Sequence, residues 1–198
     1  MQEISLNLGA GKTKIPGFIN IDLFEKADLP LDLSKDALPF ETGSVGLVFS
    51  YHTLEHMTNY LFCLSEIYRV LKHGGVFFVG VPYVTLTEYH LINPYHKTNF
   101  NEYSFDFFDP EKLKGSAAEK TPIMFKKIFH RFHYKGRFRY LPPFIQDGCR
   151  KHLLNVVNDI DFGLLAVKIH SSPPLISAEV KKQWIQKFDL LLSKRVTY

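Results

Sequence analysis

The fold of this 198-residue chain is decided near its start by the stretch Leu6-Asn7-Leu8-Gly9-Ala10-Gly11. Apolar residues alternate with polar ones from Ile4 to Leu8, which indicates a buried strand. Gly9 and Gly11 follow directly, and glycine lets the backbone approach a ligand because it has no side chain. On its own the stretch is more typical of an ordinary tight turn, so the rest of the chain must decide between a turn and a ligand site.

The composition is that of one globular domain, with 45% hydrophobic and 22% charged residues. The apolar runs, such as residues 76–81, are too short to cross a bilayer, and no basic-then-apolar leader opens the chain. We therefore expect a cytoplasmic protein. Cys63 and Cys149 are too few for a disulfide framework or a thiolate metal site. A net charge of +4 does not by itself predict nucleic-acid binding.

Strand and helix patterns alternate downstream, which predicts a parallel α/β sheet. The expected strands are residues 18–23, 28–33, 45–50 and 76–81. Helical spacing from Leu54 to Leu71 predicts one helix that Gly74-Gly75 closes. Ligands of such sheets bind at the carboxyl ends of the strands. The residues that would gather there are Gly9 to Gly11, Asp22, Asp32, Ser50 to His52 and Tyr83.

The first helix is predicted to be shortened or missing, because only six residues, 12–17, separate the glycine loop from the next strand. Lys14 stands where a dinucleotide fingerprint has its third glycine. Asp22 follows Gly11 by eleven residues, where that fold places its ribose acid about twenty residues on. The spacing argues against a nicotinamide dinucleotide and favours a cofactor without phosphates.

Five segments resemble, in order, the successive motifs of the class I S-adenosylmethionine-dependent methyltransferases, and of the type 11-like members in particular. They are Leu6 to Gly11, Asn20-Ile21-Asp22, Leu38-Pro39-Phe40, His52-Thr53-Leu54-Glu55-His56 and the stretch from Tyr68 to Gly75. The resemblance runs to about residue 82 and implies a Rossmann-like, seven-stranded, mostly parallel sheet. It also implies an enzyme whose cofactor is S-adenosylmethionine.

The resemblance further implies a cofactor site. It places Gly9 and Gly11 against the methionine part and Asp22 on the ribose hydroxyls, since a carboxylate accepts two strong hydrogen bonds at once. Asp32 and Leu33 would border the adenine, and Ser50 would lie beneath the sulfonium. The implied cofactor-binding residues are Asn7, Leu8, Gly9, Ala10, Gly11, Asp22, Leu23, Asp32, Leu33, Ser50 and Tyr51.

Residues 52–56 also match the H-x-x-E-H pattern of the inverzincin metalloproteases. They follow directly from a buried strand instead of lying in the body of a helix, so we expect no metal. His96 is the first catalytic candidate, because a histidine after the fifth strand is suited to take the acceptor's proton, and His56 is the second; both could equally be structural. The substrate-binding candidates are His52, Glu55, Tyr83, His90 and Tyr95.

Residues 84–140 are predicted to form a substrate lid, with a helix beginning near Ser104, followed by basic, aromatic-rich strands. Six basic residues and no acid occur in 126–139, which predicts two strands that turn near Lys135-Gly136. This basic face is either simply solvated or contacts an anionic partner such as a glycan, a lipid surface or RNA. A helix over 148–157 and a last strand over 160–169 complete the fold.

We therefore expect a methyltransferase domain over residues 1–170 and a linker with a C-terminal amphipathic helix over 171–198. The helix would dock on its own domain, on a second subunit or on a membrane, and the oligomeric state is open. The acceptor is expected to be an oxygen or nitrogen nucleophile on a small molecule or a glycan, with a sugar hydroxyl preferred. The alternatives are RNA or a small metabolite as acceptor, and a non-catalytic cofactor-binding module or inactive partner subunit.

Overall fold

The computed structural model describes residues 3–109, 111–112, 122–169 and 171–197. The strands are β1 Ile4–Leu8, β2 Thr13–Lys14, β3 Ile19–Asp22, β4 Leu29–Pro30, β5 Val45–Tyr51, β6 Leu71–Pro82, β7 Phe125–Tyr134, β8 Val157–Ala166 and β9 Val196–Thr197. The α-helices are α1 Tyr60–Val70, α2 Pro143–His152 and α3 Ala178–Ser193. Short 3-10 helices span Leu54–His56, Asp106–Phe108 and Gly136–Tyr140, and one π-helical turn spans Thr87–Leu91.

A seven-stranded sheet in the order β4-β3-β1-β5-β6-β8-β7 carries the site. The first five strands in this order are parallel, and β8 runs antiparallel to both β6 and β7. The carboxyl ends of the parallel strands therefore meet at one edge of the sheet. The predicted Rossmann-like, mostly parallel sheet is confirmed.

No helix occurs between β1 and β3, all of whose residues are described. The connection instead contains β2, which pairs antiparallel with β9 from the end of the chain. The predicted shortened or missing first helix is confirmed, because the connection is too short for a full crossover helix.

The single helix predicted from Leu54 to Leu71 is wrong in extent. The chain first makes the 3-10 helix Leu54–His56, and α1 begins only after Asn59, whose side chain accepts a hydrogen bond from the Phe62 amide. α1 ends at Val70 because Leu71 is already extended. Residues 74–75 do not close the helix but lie in β6, at an irregularity between the pairs Val45–Leu71 and Leu47–Val76.

The elements predicted in the second half also need correction. Residues 126–140 form one strand, β7, and then a 3-10 helix, because β7 pairs with β8 along its whole length. α2 begins at Pro143, a residue suited to the first turn of a helix, and ends at His152, earlier than predicted. The strand predicted to be the last is β8, which likewise begins earlier, at Val157. The helix expected near Ser104 is only the short 3-10 helix Asp106–Phe108.

The C-terminal helix α3 packs on one face of the sheet of its own chain. Phe188 is fully buried and makes edge-to-face contacts with Phe49 of β5 and Phe78 of β6. α1 covers the opposite face, with Leu64 and Ile67 in the main core. Among the described residues, no helix has the length and apolar character needed to cross a membrane.

Candidate active site

A cleft of about 390 Å³ opens at the carboxyl ends of β1, β3, β4 and β5. Its size is within the range of small-molecule sites. One wall combines the glycine loop with the ends of β3 and β4, and the other follows β5. The lining residues are Gly9, Gly11, Asp22, Leu23, Leu31, Asp32, Leu33, Ser34, His52, Thr53, His56, Met57 and Thr58.

The two glycines of the loop are required by different structural constraints. Both have positive φ angles, +65° at Gly9 and +60° at Gly11, which L-residues rarely adopt. A Cβ at Gly9 would lie 1.9 Å from Oγ1 of Thr53, whereas a Cβ at Gly11 would meet no atom of the described residues within 4 Å. Gly9 therefore serves close packing with the β5 loop, and Gly11 leaves open space beside the cleft.

The acids of the cleft suit S-adenosylmethionine. Asp22 accepts the amide hydrogens of Gly11 at 2.8 Å and Phe24 at 3.0 Å, one on each carboxylate oxygen. These bonds hold the carboxylate at the cleft, and each oxygen keeps a lone pair for a ribose hydroxyl. Asp32 lies farther along, and Leu23, Leu31 and Leu33 provide an apolar surface for a flat base. The residues present therefore fit the cofactor.

Five of the predicted cofactor residues do not line this cleft. Leu8 and Ala10 are fully buried, and the amide of Asn7 donates to Asn20 at 2.9 Å. Ser50 is buried, and its hydroxyl has no hydrogen-bond partner within the described part of the chain. The ring of Tyr51 stacks on His52, and the Arg195 guanidinium lies 5.6 Å from its centre. The structure places these residues under or behind the loop.

Glu55 and two histidines flank the cleft just after β5. Glu55 is fully buried, and neither of its carboxylate oxygens has a hydrogen-bond partner among the described residues. Its Oε1 lies 3.9 Å from Nε2 of His56 and 4.0 Å from Nδ1 of His52. Burial raises the pKa of Glu55 to about 7. The carboxyl group thus lies among imidazoles, and the described part of the chain offers it no hydrogen-bonding partner.

His52 is fixed by its backbone and by an acid from β8. Its φ is +55°, an uncommon conformation in which His is nevertheless enriched several-fold. Nε2 lies 3.0 Å from Oδ1 of Asp159. Burial alone would lower the pKa of His52, but the hydrogen bond and the negative charges of Asp159 and Glu55 outweigh it, so the pKa is raised.

His96 reaches the same cluster from the segment after β6. Its ring makes an edge-to-face contact with His56 at 4.7 Å between centroids. Its Nδ1 lies 2.7 Å from Nδ1 of His90, whose Nε2 lies 2.7 Å from Oδ1 of Asn99. Burial and the nearby imidazoles lower the pKa of His96, and burial lowers that of His90. Both rings therefore favour the neutral form.

Two predicted substrate-binding tyrosines lie elsewhere. Tyr83 is buried, donates its hydroxyl hydrogen to Glu102 at 2.8 Å and accepts one from Arg150 at 3.1 Å. Tyr95 is 72% exposed. The structure brings His52, Glu55, His56, His90 and His96 together but leaves both tyrosines out of this group.

Sequence reasoning missed several residues of the site. Thr53, Met57 and Thr58 line the cleft because the chain makes a 3-10 turn after β5 instead of a regular helix. Asp159, the partner of His52, comes from β8, more than a hundred residues later in the chain. The polar residues that follow the apolar run of β5 could have indicated Thr53, Met57 and Thr58. No local signal indicates Asp159.

The basic segment 126–139 is largely neutralised by acids of the same chain. Four of its six lysines and arginines form ion pairs: Lys126 with Glu111, Lys127 with Asp106, Arg131 with Asp161 and Asp189, and Lys135 with Glu88. Its positive charge is therefore mostly engaged within the fold.

The methyltransferase domain family model matches residues 23–79. No curated protein matches the chain. In structure, the chain is similar to an S-adenosylmethionine-dependent methyltransferase from Archaeoglobus fulgidus, with a TM-score of 0.60 and 16% identity over 82% of this chain and 86% of that chain.

Two further structures share the fold. One is a chain of the complex between the Haloferax volcanii Trm112 methyltransferase activator and a methyltransferase, with a TM-score of 0.51 and 16% identity over 83% of each chain. The other is the geranyl diphosphate C-methyltransferase of Streptomyces coelicolor, solved with Mg²⁺, geranyl diphosphate and S-adenosyl-L-homocysteine, with a TM-score of 0.51 and 13% identity over 84% of this chain and 71% of that chain.

The structural likenesses show the fold, and the family model matches the chain from Leu23, just after β3, into β6, which includes the cleft residues Asp32 and His56. The glycine loop and Asp22 precede the matched residues. Together these findings support an S-adenosylmethionine-dependent methyltransferase with the class I fold.

Proposed function

We propose that this methyltransferase acts on an oxygen or nitrogen nucleophile, and that its preferred acceptor is a hydroxyl group of a sugar or of a glycan-linked molecule. The observation that carries the proposal is the position of His56, which lines the cofactor cleft and contacts His96. An acceptor entering there would meet groups that bind hydroxyls and take up protons. We propose that His56 and His96 act on the acceptor and that His52 and Glu55 support them.

The hydrogen bonds made by His90 and His96 support a role of His96 in proton transfer. The side-chain oxygen of Asn99 accepts a hydrogen bond, so Nε2 of His90 must donate it. In the neutral ring, Nδ1 of His90 then carries no proton and can accept a hydrogen bond. His96 then donates from Nδ1, and its Nε2 carries no proton. Together with the lowered pKa of His96, this leaves a neutral imidazole with one free basic nitrogen. Such a group is suited to take the proton of a hydroxyl.

Bound S-adenosylmethionine supplies a methyl group on a positively charged sulfur, and this sulfur is the leaving group when the acceptor oxygen attacks the methyl carbon. In the step that we propose, a bond forms between the acceptor oxygen and the methyl carbon while the bond from that carbon to sulfur breaks, and Nε2 of His96 takes the hydroxyl proton. The cleft contributes mainly by alignment.

The experiment is an acceptor screen with the full chain, measuring S-adenosylhomocysteine release on nucleotide sugars, glycan lipids, small aromatic metabolites and RNA. We expect turnover with a sugar-containing acceptor. We also expect His96→Ala to keep the cofactor affinity while turnover falls at least tenfold, whereas the exposed His152→Ala keeps both. Turnover on RNA but on no sugar-containing acceptor would overturn the acceptor assignment. Unchanged turnover in His96→Ala would remove His96 from the reaction.

A further inference from the structure

Three side chains from two separate segments meet beside the cofactor cleft, which one of them, His56, also lines. One donor atom each from Glu55, His56 and His96 lies within 4.8 Å of the other two. Ions such as Zn²⁺ bind nitrogen and oxygen donors at about 2.0–2.2 Å, so the donors of one ion lie about 3–4 Å apart. Oε1 of Glu55 and Nε2 of His56 are 3.9 Å apart, so small side-chain rotations bring the set into range.

The surroundings of Glu55 independently favour a bound cation at this position. Its side chain is fully buried, and both oxygens are without hydrogen-bond partners in the described ranges. An isolated buried carboxylate is costly, and a buried acid is normally paired or bound to a metal. A neutral carboxyl group would still need an acceptor for its proton, and none of the described residues provides one. A cation between Glu55 and the two imidazoles would satisfy the carboxylate.

The surroundings of His96 are those of a metal ligand. A metal-bound histidine usually donates its other ring N–H to an acceptor, which fixes the ring and its tautomer. The hydrogen bonds from His96 to His90 and from His90 to Asn99 do this, and they leave Nε2 of His96 unprotonated. His90 is itself 1% exposed, so this support is built into the core.

We propose that Glu55, His56 and His96 bind a divalent transition-metal ion such as Zn²⁺ or Mn²⁺. A set of two imidazoles and one carboxylate suits these ions better than Mg²⁺ or Ca²⁺, which prefer oxygen ligands. Three protein ligands leave positions open, as in catalytic sites. Because His56 also lines the cleft, the ion would lie next to the position that we propose for the acceptor. This assignment replaces the sequence expectation that no metal binds here.

The role of the metal rests on the proposed function. An ion at this position would bind the acceptor oxygen and lower the pKa of its hydroxyl group. His96 would then act as a ligand, and the proton of the hydroxyl would leave to solvent instead of to Nε2 of His96. Metal binding itself needs neither cofactor nor acceptor, so it can be tested separately.

The test is calorimetric titration of the chelator-treated full chain with Zn²⁺, Mn²⁺ and Mg²⁺, without cofactor or acceptor. We expect one equivalent of Zn²⁺ to bind with a micromolar or lower Kd, and Mg²⁺ to bind at least a hundredfold more weakly. Glu55→Gln, His56→Ala and His96→Ala should each weaken Zn²⁺ binding at least tenfold. His152→Ala and Cys149→Ser, which alter residues outside the cluster, should not. No saturable binding, or equal binding by the three variants, would overturn the proposal.

Thermal unfolding provides a second measurement that does not depend on turnover. Saturating Zn²⁺ should raise the Tm of the wild type by several degrees and leave that of Glu55→Gln unchanged. Without metal, the isosteric Glu55→Gln should be at least as stable as the wild type, because it removes an unpartnered buried carboxylate. A lower Tm for the metal-free variant would contradict the proposal. Methyl transfer by a chain that binds no metal would leave the proposed function standing with His96 as the base.

Discussion

Thr53 occupies the space into which a side chain at Gly9 would project. A Cβ built on Gly9 would lie 1.9 Å from Oγ1 and 2.6 Å from Cβ of Thr53. The Thr53 hydroxyl lies 3.3 Å from the carbonyl oxygens of Leu8 and Tyr51. The glycine loop after β1 and the turn after β5 are therefore packed as one unit, and the two walls of the cleft keep a fixed relation.

This packing predicts the effect of Gly9→Ala. The methyl group would meet Thr53, and the left-handed backbone would cost a further 1–2 kcal/mol, so we expect the free energy of unfolding to fall by about 2–4 kcal/mol. Thr53→Gly removes the clash, and a double-mutant cycle should show a coupling of about 1 kcal/mol or more. Gly11→Ala is the matched control, since it has the same backbone strain but no clash. Equal losses of unfolding free energy in Gly9→Ala and Gly11→Ala, measured by denaturant unfolding, would contradict this account.

The position of Asp22 predicts its role in cofactor binding. Its carboxylate is held by the Gly11 and Phe24 amides at the edge of the cleft. Asp22→Ala should weaken the binding of S-adenosylmethionine and S-adenosylhomocysteine at least tenfold by calorimetry, because charge-assisted hydrogen bonds to the ribose are lost. Asp147→Ala, which alters a half-exposed residue of α2 outside the cleft, should change neither affinity. Affinity within threefold of the wild type in Asp22→Ala would remove Asp22 from the cofactor site.

His133 and Asp161 predict a pH dependence of stability. Nε2 of His133 lies 2.5 Å from Oδ2 of Asp161, and this bond raises the pKa of His133 against the opposing effect of burial. A raised folded-state pKa stabilises the fold fully below the ordinary value of about 6.5, and the gain is lost as the pH rises through the raised value. His133→Gln should therefore lose more unfolding free energy, relative to the wild type, at pH 6 than at pH 9.

His130 is the control for this measurement, because it lies on the same strand but burial lowers its pKa. A lowered histidine pKa reduces stability as the pH falls. His130→Gln should therefore lose less unfolding free energy, relative to the wild type, at pH 6 than at pH 9. Chemical denaturation of both variants at the two pH values checks the prediction. The same trend in both would show that Asp161 is not responsible.

The architecture and the place of the cleft could be predicted because both depend on local patterns. The alternation at β1, the apolar run of β5 and the rule that ligands bind at carboxyl ends require no knowledge of distant contacts. Asp22 is a good example, since it ends a strand and lies on the cleft. The short connection after Gly11 in the same way excluded a first helix.

Other features depend on contacts between distant segments and could not be predicted. The aromatic and basic alternation of 126–140 is compatible with one strand or two, and only pairing with β8 decides for one. The cluster of Glu55 and His96 requires a loop that returns to the end of β5, where the Lys97 amide donates to the Glu55 carbonyl oxygen. The amphipathic pattern of α3 identified its apolar face, but not the partner, which is the sheet of its own chain.

Tyr83, Glu102 and Arg150 form a buried network that predicts a structural role for Tyr83. Glu102 and Arg150 are both 8% exposed and form an ion pair, and the Arg150 guanidinium lies 4.5 Å from the centre of the Phe132 ring. Removing one partner of a buried pair leaves an uncompensated charge, so Glu102→Ala should lower the free energy of unfolding by about 3–5 kcal/mol. Asp147→Ala removes a half-exposed partner of Arg150 and should cost much less, because solvent screens that ion pair.

The double variant Glu102→Leu with Arg150→Met should recover most of that loss, because apolar side chains replace both charges at once. Tyr83→Phe should cost about 1–2 kcal/mol, since its hydroxyl both donates to Glu102 and accepts from Arg150. The same variant should leave the cofactor affinity and the KM for the acceptor unchanged, because the hydroxyl is turned away from the cleft into this network. A severalfold rise in that KM, with unfolding free energy preserved, would instead assign Tyr83 to the acceptor.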